Sequence, residues 1–101
     1  MGDEIKVFRY TVPVDDRWHE MESGDVLHVA ARTPYVVEFW AFSGGPTFRQ
    51  RWLRVYGTGQ PITDGIWQYH GAAITADGAL VWHLLEANWV NGKIEGRSDA
   101  E

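Results

Sequence analysis

Apolar side chains recur at alternate positions in a series of short runs, and no stretch keeps helical spacing for more than two turns. Successive side chains of a strand point to opposite faces, so each run sorts into a core side and an outer side. In Arg51-Trp52-Leu53-Arg54-Val55-Tyr56, Leu53 and Val55 take the core side. Trp52, Arg54 and Tyr56 share the other, two aromatic rings around a guanidinium. Over residues 26–32, Leu27, Val29 and Ala31 point inward while His28 and Arg32 point away. The most apolar run, residues 35–42, carries Val37, Phe39 and Ala41 on one face and Val36, Glu38, Trp40 and Phe42 on the other. A strand apolar on both faces is covered on both, or is covered by a partner. Further strands are predicted over 5–12, 66–74 and 80–86, with a short edge strand within 14–21.

Turn chemistry divides these runs. Pro13, Ser23-Gly24-Asp25 and Thr33-Pro34 each stop a strand, and Ser43-Gly44-Gly45-Pro46 is expected to close a hairpin between residues 42 and 48. Asp77-Gly78, between two apolar runs, is the strongest hairpin signal. Gly57-Thr58-Gly59 lacks the lysine and the third glycine of phosphate-binding loops, and Pro61 removes a backbone donor, so it is read as a turn that shapes the backbone. About six strands joined by short turns predict an all-β fold, a small antiparallel β-sandwich or partly open β-barrel. The β domain is placed at residues 1–86, followed by a polar tail, 87–101. The tail's Ile94-Glu95-Gly96-Arg97 matches a protease tetrapeptide used in expression vectors, so part of it is a candidate for vector origin.

Composition narrows the function classes. With 101 residues there is room for one modest core. No cysteine means no disulfide and no thiolate chemistry, and no apolar run approaches a membrane span. A soluble cytoplasmic protein is expected. The formal charge of −5 argues against nucleic acid as a partner, because such binding depends on releasing counterions from a basic surface. Arg49, Arg51 and Arg54 remain a local basic strip, read first as an ion-paired strand face.

Candidate chemistry is sparse. His28, His70 and His83 with Glu38 would make a small-ligand or metal pocket if the fold brought them together, but none has the close paired spacing of a zinc motif. The serines lie in turns or the tail, outside any nucleophile-elbow pattern. Glu38 and Glu86 sit in apolar strands where burial would raise a carboxyl pKa, unless an arginine on a neighbouring strand pairs with them. Neither a cofactor nor a metal site is assigned. Six tryptophans and eight other aromatics exceed what one small core needs. Trp40, Phe42, Trp52 and Tyr56, with Arg54, therefore read either as one binding patch or as a second core face.

Several segments resemble a family of small uncharacterised proteins from actinobacteria and their phages. They are Tyr10 to Asp16, His28-Val29-Ala30 with Pro34 and Trp40, Arg54 to Ile62 with its GTGxPI pattern, and Leu80 to Glu86 with its VWHLxE pattern. Where relatives tend to have Gly-Thr-Ala after the tyrosine, this chain has Gly71-Ala72-Ala73. The resemblance implies a phage or prophage accessory protein and no particular activity. The resulting expectation is a non-enzymatic interaction module that binds itself or a bacterial host protein, with a pocket protein of enzymatic potential as the alternative.

Overall fold

The computed structural model describes residues 4–62 and 67–87, together with the backbone of 89–90 and 93–94. Seven strands form two antiparallel sheets: β1 (Val7–Pro13), β2 (His19–Ser23), β3 (Val26–Thr33), β4 (Val36–Phe42), β5 (Arg49–Gly57), β6 (Trp67–Ile74) and β7 (Val81–Ala87). The first sheet has the order β1-β4-β3 and the second β2-β5-β7-β6. A separate pair, β8 (Trp89–Val90) and β9 (Lys93–Ile94), falls in the predicted tail. Both sheets are open, so the fold is the expected sandwich without barrel closure. The predicted loop at 63–65, the first residue of the strand predicted over 66–74, and the side chains of the tail beyond Ala87 lie outside the described residues, and Ala87 itself, placed in the tail by the sequence, is the buried last residue of β7.

The core forms where the alternation of the two sheets meets. Val12, Val29, Ala31, Val37, Phe39 and Ala41 come from the first sheet, and Leu53, Val55, Ala73 and Leu84 from the second. Tyr10 stacks on Phe39 with ring centroids 5.0 Å apart. Burying one such aromatic stabilises the fold by about 1.5–3 kcal/mol. Leu27 departs from expectation: the β3–β4 register shifts between Val26 and His28, which turns Leu27 into solvent and lets Val26 pack against the core instead.

The expected hairpin between residues 42 and 48 does not form, because β4 and β5 belong to different sheets. Loop 43–48 is a crossing from one sheet to the other. A second crossing, Gly24-Asp25, lies against it, with the Gly24 N–H donating to the Phe42 carbonyl (2.7 Å) and the Asp25 N–H to Thr47 Oγ1 (3.1 Å). A Cβ on residue 24 would stand 2.8 Å from the Phe42 Cβ, so this close approach requires glycine. By contrast, the Asp77-Gly78 hairpin between β6 and β7 forms as read, with Gly78 at φ 75°.

Candidate functional site

The β1–β4–β3 register builds an outer face row by row. Arg9, Trp40 and His28 lie abreast, Val7 faces Phe42, and Thr11, Glu38 and Ala30 form the next row. His28 leans on Trp40 at 5.6 Å between ring centroids. Arg32 clamps Glu38 with two hydrogen bonds, Nε to Oε1 at 2.8 Å and Nη2 to Oε2 at 2.6 Å. Arg9 approaches the same carboxylate at 3.8 Å. Hydrogen bonding from Arg32 holds the Glu38 carboxyl below its ordinary pKa, against burial, which would raise it. Glu38 is therefore an ion-pair anchor and not a raised-pKa acid. Beside it, Arg32, Thr33, Val36 and Glu38 line an open hollow of about 420 Å³.

Trp52, Arg54 and Tyr56 lie on β5, on the outer side of the other sheet, so they do not join Trp40 and Phe42 in one patch. Arg54 sits over the Tyr56 ring at 4.6 Å and near Trp18 at 6.0 Å, and Trp18 meets Tyr56 edge-on. Tyr56 and Leu85 are closed off from solvent there, 2% and 1% exposed. These aromatics behave as a second packed layer, while Val7 and Arg9 on the first face stand half in solvent.

The histidines do not converge. His70 occupies a register break in β6 and bonds Glu86 Oε1 at 2.7 Å on the core side of its sheet. Arg51 Nη1 donates to the same oxygen at 2.9 Å, and Arg49 pairs with Oε2 at 2.7 Å. Burial alone would raise the Glu86 pKa, but the hydrogen bond from His70 and the charges of Arg51 and Arg49 outweigh it and leave the carboxyl below its ordinary value. Arg51 also donates to the carbonyls of Ser23 and Thr47, each at 3.0 Å. Within the arginine strip, Arg51 is thus buried in the core while Arg49 stays at the rim.

His83 lies on the outer side of the same sheet, between Thr58 Oγ1 at its Nε2 and Tyr69 Oη at its Nδ1, both 2.8 Å away. Nothing in the spacing of Thr58 and Tyr69 ties them to His83; their meeting comes from strand pairing. The Gly57–Gln60 turn does shape the backbone, with Gly59 at φ 88° and the Gln60 N–H donating to the Gly57 carbonyl, but it also delivers the Thr58 hydroxyl. Among the described residues no three His, Asp or Glu side chains group as metal ligands. Among the described residues no helix is long and apolar enough to cross a membrane.

Neither a curated protein nor a solved structure matches the chain. A family model does, over residues 4–92, which takes in both sheets, the Trp40 face and the Thr58–His83–Tyr69 group. The chain accordingly belongs to a family defined by a domain of unknown function, DUF7352.

Proposed function

We propose that this chain is a non-enzymatic protein-interaction module, an accessory protein of the phage or prophage kind acting in the bacterial cytoplasm. Its binding face is the outer side of the β1–β4–β3 sheet. One observation carries this reading: that face sets half-buried Trp40 and Phe42 and exposed Val7 beside Arg9 and the Arg32–Glu38 clamp, whereas Tyr56, expected to share a patch with them, is closed off from solvent in the other sheet. Tryptophan and arginine are the residues that dominate binding hot spots, and an open apolar strip rimmed by charge is where a partner gains most. The resemblance of Arg54 to Ile62 and Leu80 to Glu86 to proteins of actinobacteria and their phages supports the accessory role. Trp40→Ala should weaken capture of the partner, a second copy or a host protein, by about tenfold or more, with the melting temperature little changed. Unchanged capture combined with a large fall in melting temperature would make Trp40 a structural residue and end this reading.

A second reading is favoured by the hydrogen-bond chain through His83. A neutral imidazole protonated at Nδ1 donates to Tyr69 and accepts from the Thr58 hydroxyl, the polarity that activates a hydroxyl nucleophile. On this reading a fluorophosphonate probe labels Thr58, and His83→Ala abolishes the label, as peptide mass spectrometry would show. A chain that stays unlabelled removes it.

A further inference from the structure

The edge of β1 that faces away from β4 carries a hydrogen-bonding ladder that no other described strand uses. At its two ends the Lys6 carbonyl accepts from Ser43 N–H at 2.7 Å and the Val14 N–H donates to Tyr35 at 2.8 Å, both toward the β4 side. Antiparallel pairs alternate between hydrogen-bonded and non-hydrogen-bonded residues, so Lys6, Phe8, Tyr10, Val12 and Val14 spend their backbone groups on β4. Val7, Arg9, Thr11 and Pro13 must direct theirs outward. No other described strand pairs with that side.

Proteins ordinarily blunt such edges with short strands, bulges or charge. The other three edges follow this rule. β2 has five residues and exposes Glu20 and Glu22. β3 and β6 each break register, and they lie side by side, with Gly71 against Val29. β1 runs seven residues in unbroken register and flanks its edge with exposed Ile5, Val7 and Phe8, each at least 50% accessible.

We infer that β1 pairs antiparallel with β1 of a second copy of this chain, joining the two three-stranded sheets into one of six strands. This deepens the interaction-module reading by naming the contact and the partner. The sequence selects the register. A two-fold axis through Phe8 sets Phe8 against Phe8, Val7 against Arg9 and Ile5 against Thr11 of the second copy, and leaves Pro13 outside the paired stretch. An axis through Arg9 would oppose two guanidiniums, and one through Tyr10 would set Val7 against Pro13, which has no N–H. Of these three, the first uses every outward donor of β1 without a like-charge pair. It also makes Phe8 a non-hydrogen-bonded pair, the arrangement with the closest side chains.

The chain has no cysteine, so a single introduced thiol can form a disulfide only between copies. Phe8→Cys should cross-link to a covalent dimer under mild oxidation, and Thr11→Cys, whose counterpart is Ile5, should not. Light scattering should find a dimer in the unaltered chain and a monomer in Arg9→Pro, with the circular dichroism spectrum kept, because the Arg9 N–H serves no bond to β4. A monomeric unaltered chain, a dimer that survives Arg9→Pro, or Thr11→Cys linking as readily as Phe8→Cys would each overturn the inference. If the dimer survives Arg9→Pro while Trp40→Ala abolishes capture of a host protein, the edge pairing falls and the face reading stands. If Trp40→Ala leaves all binding intact while Arg9→Pro abolishes dimerisation, the reverse holds.

Discussion

Glu86 is 1% exposed and shares its two oxygens among His70, Arg51 and Arg49. A buried ion pair adds little net stability over apolar packing, but removing one partner strands the others without compensation. Glu86→Ala should therefore cost about 3–5 kcal/mol in chemical denaturation. The pH dependence has a definite sign. The Glu86 carboxyl lies below its ordinary value of 4.5 in the folded chain, so its contribution is complete above that value and is lost as pH falls through the lower, folded one. Glu38 is depressed in the same direction, by Arg32 first. Thermal melts stepped downward from neutral pH should show stability declining below about 4.5, and more shallowly in Glu86→Gln. A decline that is as steep in Glu86→Gln would locate the titration elsewhere.

At the scale of elements, alternation was a reliable guide wherever a strand stayed regular. Leu53 and Val55 against Trp52, Arg54 and Tyr56, and Val37, Phe39 and Ala41 against Glu38, Trp40 and Phe42, all lie on the sides their spacing gives them. It failed at Leu27, because a one-residue register shift reverses facing and leaves no mark in hydrophobicity. It was blind to which sheet a strand joins, which is why Trp40 and Trp52, both outward, face opposite ways. The Thr58–His83–Tyr69 group was illegible for the same reason: residues from a turn, β7 and β6 meet only through long-range pairing. Gly44-Gly45-Pro46 misled because the same turn residues serve a hairpin and a passage between sheets equally well.

For the molecule as a whole, two of the three passages between the sheets, those after β2 and after β4, are drawn together by one side chain. Arg51 reaches the Ser23 carbonyl at the end of β2, the Thr47 carbonyl in loop 43–48, and Glu86 on β7. Those bonds span 28, 4 and 35 residues along the sequence, so most of them await contacts that only a nearly complete fold supplies. The guanidinium thus belongs to the last step of folding and to the first of its reversal. Weakening it shortens the lifetime of the folded chain without slowing its formation, and in a chevron plot of Arg51→Lys the unfolding arm rises while the folding arm stays in place.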